Sequence, residues 1–437
     1  MSNSKLIFDA VHDYNASIDP KPKQIEAFEY FLAGKDVIVN LPVGYGKSLI
    51  YHVLPKLVQR ATPDLEKPVV LTISPLNIIQ TEQIDILKRH NISACSLPYL
   101  DNEESLDSDL NQFNHSIVNG DFAVVFSHPE ALLNTSKGQE LLTSCSFIHR
   151  VAALVIDECH IVETWGEEFR TAFKKLKTLP AVFENKPILA LSGTLTVGQL
   201  KKLPEILGMK NPAIVQESPD RQNIFLQKIE KVKGQDICEI YEEVFKKECD
   251  NLKQSPMSYP VTLLFMPLFY ISQAAAYLQH IFGKADITNS YYAVLYSRQD
   301  KAVIQATVTD LQSDNPRIRL VLTSSVAGMG FDPPCVTRVI HAKPPRTLSQ
   351  YLQEIGRAGR RGQKATATLY YNNRDIAKNI PGIEDDILQY CKTDDKCLRE
   401  ILLGNFGFSK TQISNEECCS YCATKELDIA GLFDDTL

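Results

Sequence analysis

Leu41-Pro-Val-Gly-Tyr-Gly-Lys-Ser48 lies between an apolar run, Val37–Asn40, and a helical pattern, Lys47–Arg60. A buried strand, a glycine-bearing loop, a Lys-Ser pair and a helix start together form a phosphate-binding unit. Backbone N–H groups of the loop around Gly44 and Gly46 can point at phosphate oxygens, and the helix N-terminus adds a favourable dipole. This pattern assigns the Lys47 ammonium to the β- and γ-phosphates of ATP and the Ser48 hydroxyl to Mg²⁺. The full pattern has glycine where Leu41 stands, so the loop alone is also compatible with a plain strand-to-helix turn.

A second stretch supports the nucleotide reading. Leu154-Val-Ile-Asp-Glu-Cys-His160 closes the apolar run Val151–Ile156 with two carboxylates. In an open parallel sheet, ligands bind where the strands end. Asp157 is placed to hold Mg²⁺, and Glu158 to position and activate an attacking water.

Outward from these two stretches, short apolar runs alternate with longer helical patterns. Strands are expected at Val37–Asn40, Val69–Ser74, Phe122–Phe126, Val151–Ile156 and Ile188–Leu191. A second set follows at Thr262–Phe265, Arg319–Thr323, Arg338–His341 and Ala365–Tyr371. Unbroken apolar strands of this length suit parallel sheets covered on both faces. Segments such as Lys47–Arg60 and Pro75–Arg89 are long enough to be crossover helices. The alternation pauses near Asn211–Asn223, and beyond Asn373 the pattern turns helical. The expected organisation is therefore an α/β chain with doubly wound parallel sheets over residues 1–216 and 217–373. A small helical segment, 374–437, follows.

Composition narrows the class. Hydrophobic residues make up 44% and charged residues 23% of the 437, an ordinary globular balance. The formal charge is 46 − 53 = −7, so any nucleic-acid contact depends on local basic and aromatic groups rather than a broad field. No apolar run approaches the roughly 20 residues of a membrane span, and the N-terminus lacks a signal-peptide core. An intracellular protein with no membrane partner is expected.

Of the 11 cysteines, six are scattered between Cys95 and Cys335, as packing residues of a reducing compartment are. The other five fall between Cys391 and Cys422, a local clustering that reads as metal ligation. Cys397, Cys418, Cys419 and Cys422 suit a closed tetrahedral Zn²⁺ site. Cys391 in place of one ligand, or a redox pair at Cys419 and Cys422, are the alternatives.

Asp157-Glu-Cys-His160 resembles the Asp-Glu-x-His box of superfamily 2 helicases, and the likeness extends along the chain. Ile156–Arg170 resembles the Walker B box and aromatic-rich loop of the RecQ family. Ser74-Pro-Leu76, His128-Pro-Glu130 and Ser192-Gly-Thr194 resemble its motifs Ia, Ib and III in order. Asp220-Arg-Gln-Asn-Ile224 resembles the segment joining its two lobes. Gly328–Asp332 and Gln353–Gly362 resemble motifs V and VI. The resemblance implies two RecA-like lobes with ATP between them, then a zinc-binding subdomain. It implies that Arg357 and Arg360 neutralise charge on the departing γ-phosphoryl. Gln24 matches the glutamine that reads adenine, while Lys21 stands where the family has Arg. Val43 and Tyr45 replace the Thr and small residue usual in the phosphate loop.

By resemblance, the activity is ATP-dependent 3′→5′ unwinding of DNA with single-stranded tails, forks or junctions, in repair or recombination. The location would be nuclear in a eukaryote. Trp165, Phe169 and Arg170 would contact the strand by stacking and charge. Fifteen residues follow Cys422, too few for the winged-helix domain common in this family. A translocase or remodeller without robust unwinding is therefore the second reading. A non-catalytic DNA-binding scaffold is the third.

Overall fold

The computed structural model describes residues 2–75, 77–98, 107–162, 172, 175–184, 186–231, 237–283, 290–296, 299–324 and 333–425. The chain forms two compact units that divide at Pro219 and Asp220. Each unit is built on its own parallel sheet.

In the first unit, the described strands are β1 (Val37–Asn40), β2 (Val69–Ile73), β3 (Ala94–Ser96), β4 (Val124–Ser127), β5 (Val151–Ile156), β6 (Ile188–Ser192) and β7 (Ala213–Gln216). They lie in the order β3-β4-β2-β5-β6-β1-β7. β1, β2, β4, β5 and β6 are buried along their whole length, which is why they read as unbroken Val, Ile and Leu runs. One face packs Ile38, Leu71, Leu154 and Ile156 against Phe147 and Phe183. The other packs Val39, Val70, Val155 and Leu191 against Phe28, Tyr51 and Leu54. Helix Lys47–Ala61 packs Ile50, Tyr51, Val53, Leu54, Leu57 and Val58 into that second core, so it is buried over most of its surface rather than along one stripe.

The second unit contains β8 (Ile224–Glu230), β9 (Thr262–Phe265), β10 (Tyr292–Leu295), β11 (Leu320–Thr323), β12 (Arg338–His341) and β13 (Ala365–Tyr371). Their order is β10-β11-β9-β12-β13-β8. Helices Asp385–Lys392 and Leu398–Asn405 share one core with this sheet, Tyr390, Leu402 and Phe406 joining Leu226, Leu263 and Leu369. An edge strand exposes unpaired backbone groups. At β8 the C-terminal segment meets that edge: Leu226 bridges to Cys419, and Lys228 Nζ donates to the Tyr390, Cys391 and Thr393 carbonyls.

The apolar runs are strands as expected, with β4 displaced from Phe122–Phe126 to Val124–Ser127 and the helix from Pro75 starting at Asn77. Sequence reading missed β3, β7, β8 and β10, which stand at the four sheet edges. Among the described residues, no helix is long and apolar enough to cross a membrane.

Candidate functional site

The phosphate loop leaves the C-terminal end of β1. Leu41 N–H donates to the Ser192 carbonyl at 3.0 Å, fixing the loop's start against the end of β6. Gly44 and Gly46 adopt φ of 85° and 96°, a region that side chains disfavour. A Cβ on Gly46 would also stand 2.8 Å from Gln24 Nε2. Lys47 opens the helix, and its Nζ donates to the Leu41 carbonyl at 3.1 Å. The ammonium lies against Gly193, where an added Cβ would approach it to 3.0 Å.

Gln24 is buried behind this loop. Its amide nitrogen donates to the Gly46 carbonyl at 2.8 Å, and its oxygen accepts from Lys21 N–H at 2.8 Å. Two departures from the family pattern meet here. The Lys21 ammonium lies 4.9 Å from the centre of the Tyr45 ring, whose hydroxyl accepts from Lys23 N–H at 3.3 Å. A cation over an aromatic face is an attractive pairing, so Lys21 and Tyr45 accommodate one another.

Asp157 and Glu158 follow β5 at the same edge. Asp157 N–H donates to the Ile73 carbonyl and Cys159 N–H to the Leu191 carbonyl, both at 2.9 Å, holding the turn between β2 and β6. Glu158 has φ of 51°, a sparsely populated conformation that persists only when its surroundings impose it. Its N–H donates to Asp157 Oδ1 at 3.0 Å. His160 Nδ1 lies 3.3 Å from Glu158 Oε2 and 3.1 Å from Ser192 Oγ, linking the carboxylate turn to Ser192-Gly-Thr194. Burial, reinforced by the negative Glu158, pushes the Asp157 carboxyl up to about 7, with Lys47 opposing.

Gln24, Gly44, Gly46, Lys47, Ser48, Asp157 and Glu158 thus share one edge of the first sheet. Tyr51, one helical turn after Lys47, is fully buried, and burial, reinforced by the nearby Asp157 and Glu158, raises its phenol well above the usual range. Sequence reading passed over Tyr51, although its position four residues after Lys47 on the same helix face was available.

Arg357 and Arg360 lie in the second unit, after helix Leu348–Ile355, where β12 and β13 begin. Arg357 is buried and Arg360 half-buried. Gly359 has φ of 64°, and its carbonyl accepts from Asn223 Nδ2 at 2.8 Å and Arg221 Nη2 at 2.6 Å. Arg221 also donates to the Gly356 and Ala358 carbonyls. The segment Asp220–Ile224, read in sequence as a joining piece, clamps this arginine loop.

Cys397, Cys418, Cys419 and Cys422 are buried with their sulfurs all within 4.8 Å of one another. Cys391 is not among them. Sulfurs about 2.3 Å from a tetrahedral zinc stand roughly 3.8 Å apart. The Cys397–Cys418 and Cys397–Cys419 separations, 3.5 and 3.8 Å, fit that geometry. Four crowded thiols also resist joint ionisation unless a cation balances them, so the donor set suits Zn²⁺. Trp165, Phe169 and Arg170, together with Gly328–Asp332, lie outside the described residues.

Residues 21–203 match the DEAD/DEAH box helicase family and residues 262–362 the helicase conserved C-terminal domain. The chain is 27% identical to the ATP-dependent helicase SGS1 of Saccharomyces cerevisiae over 89% of its own length and 26% of that protein's. It is 26% identical to the ATP-dependent DNA helicase RecQ of Pasteurella multocida over 94% of its length and 61% of that protein's. The chain thus spans less than two thirds of either relative. The solved helicase Lhr of Mycobacterium smegmatis, bound to ssDNA and AMP-PNP, shares the fold with a TM-score of 0.60 at 20% identity, over 90% of this chain and 51% of that one. The ordered motifs, the two parallel-sheet units and these matches together support a superfamily 2 helicase similar to the RecQ family.

Proposed function

We propose that the chain is an ATP-dependent DNA helicase that moves 3′→5′ along one strand and opens tailed, forked or junction DNA in repair or recombination. The observation that carries this reading is the convergence of Lys47, Asp157 and Glu158 at one strand edge, tied through His160 to Ser192.

In this reading Lys47 exchanges the Leu41 carbonyl for a phosphate oxygen, a charge-assisted bond stronger than the neutral-acceptor bond it replaces. Ser48 and Asp157 would hold Mg²⁺, whose role when bound is to neutralise charge on the β- and γ-phosphates. Glu158 orients the attacking water and accepts its proton. Arg357 and Arg360 stabilise negative charge on the departing γ-phosphoryl. Trp165, Phe169 and Arg170 stack on and pair with the DNA strand. The four cysteines would hold Zn²⁺, which contributes folding energy rather than chemistry.

The test is strand displacement on 3′-tailed and 5′-tailed duplexes of DNA and of RNA, with ATP turnover measured in parallel. The expected result is ATP-dependent displacement of 3′-tailed DNA alone. DNA-stimulated turnover without displacement would replace the helicase reading with a translocase, and preference for RNA would overturn the substrate assignment.

A further inference from the structure

We infer that Arg399 is a positioning residue for the arginine loop, joining the cysteine-bearing segment to Arg357 and Arg360. Arg399 lies two residues after Cys397 and is 2% exposed. Its guanidinium donates to four acceptors. Nη1 serves Asp220 Oδ1 and the Arg221 carbonyl, the latter at 3.1 Å. Nη2 serves the Ile224 carbonyl and, at 3.2 Å, the Cys418 carbonyl. The second Asp220 oxygen accepts from Thr411 Oγ1 at 3.0 Å, so one carboxylate is gripped from two points of the C-terminal segment.

The next residue carries the connection onward. Arg221, whose own carbonyl Arg399 holds, donates to the Gly356, Ala358 and Gly359 carbonyls. Those carbonyls flank Arg357 and immediately precede Arg360. Asn223 completes the clamp on the Gly359 and Gln363 carbonyls, both at 2.8 Å. The loop's left-handed Gly359 allows Asn223 this approach, since a Cβ there would stand 2.3 Å from Nδ2. A continuous series of hydrogen bonds therefore runs from Cys418 and Arg399 through Asp220 and Arg221 to the arginine loop. A single ammonium cannot serve four acceptors arranged around a planar fork. Arg399→Lys keeps the charge beside Asp220 but loses the grip on the backbone.

This inference rests on the reading that Arg357 and Arg360 act in hydrolysis, and a double-mutant cycle on the full chain separates the two. Arg399→Lys, Arg360→Ala and their combination are compared for DNA-stimulated kcat, KM for ATP, melting temperature and zinc content. Arg399→Lys is expected to retain about one zinc per chain and a KM within about twofold of wild type. Its kcat is expected to fall about tenfold. The double variant should be no slower than Arg360→Ala, because the relay acts through that loop. An unchanged kcat in Arg399→Lys, or losses that multiply in the double variant, would overturn the relay. Full turnover in Arg360→Ala would instead overturn the assignment of the arginines to hydrolysis, leaving the relay without a target. If Arg399→Lys fails to fold, Thr411→Val loosens Asp220 from the other side; a twofold to threefold fall in kcat at constant KM supports the relay, and no change refutes it.

Discussion

At the phosphate loop, the polar groups are held by partners that a ligand can replace. At the arginine loop, they are held by partners that a ligand would leave in place. Lys47 rests on the Leu41 carbonyl, Gln24 on the Gly46 carbonyl, and the Asp157 carboxyl is pushed up to about 7. The carbonyls around Arg357 and Arg360 are instead fixed by Arg221 and Asn223. The difference follows from position. The first loop sits where strands end, the edge at which an open parallel sheet binds its ligands. The second sits where strands begin, and its backbone is already committed. In the proposed reading, one region would exchange partners on binding ATP, and the other would hold its charge in place during hydrolysis.

Lys47→Ala tests the exchange side most severely. It removes a charge-assisted bond worth roughly 1.5–3 kcal/mol, so ATP affinity should fall about tenfold to a hundredfold, and turnover with it. Equilibrium binding of a labelled ATP analogue and steady-state hydrolysis measure the two. Unchanged affinity would break the comparison, because Lys47 would then not exchange its partner for phosphate.

A smaller effect concerns Asp157. Its folded-state value of about 7 lies above the ordinary carboxyl value of 3.8, so between these limits the folded protein binds a proton that the unfolded chain releases. Stability is therefore greatest below pH 4 for this group and is lost as pH rises towards 7, by at most about 1.4 kcal/mol per unit. Without nucleotide or Mg²⁺, Asp157→Asn should melt several degrees above wild type at pH 8 and close to it at pH 4. Melting curves at the two pH values decide the matter. Equal melting at pH 8 would mean that Asp157 ionises freely and the site is less strained than its burial implies.

The smallest expected change is at Tyr45. Tyr45→Gly removes the ring beneath Lys21, whose pairing is worth about 0.5–1 kcal/mol at a partly exposed position. Nucleotide release, followed by stopped-flow fluorescence, should accelerate about twofold to fivefold, with kcat little altered. Slower release would show that Tyr45 opens the loop rather than closing it.

What sequence revealed follows burial. β1, β5, β9, β12 and β13 were legible as apolar runs because both faces of most of their residues are covered. The missed β7 contains Ile214, 47% exposed, and stands in the stretch where the alternation had paused. β8 mixes buried and half-buried residues, and β10 buries only Leu295 fully. An edge strand pairs with a neighbour on one side only; β7, β8 and β10 are partly exposed and β3 is only three residues long, so their composition blends into loop sequence. The site divides the same way. Lys47, Asp157 and Glu158 sit beside legible strands and carry local spacing. Arg399 acts on Asp220, 179 positions away, a relation created only by folding.

The central claim is that the edge formed by Lys47, Asp157 and Glu158 hydrolyses ATP. Glu158→Gln tests it most directly, because the amide retains the side chain's shape and loses the base. ATP binding should stay within about threefold of wild type while single-turnover hydrolysis falls about a hundredfold or more. Wild-type hydrolysis by this variant would contradict the account.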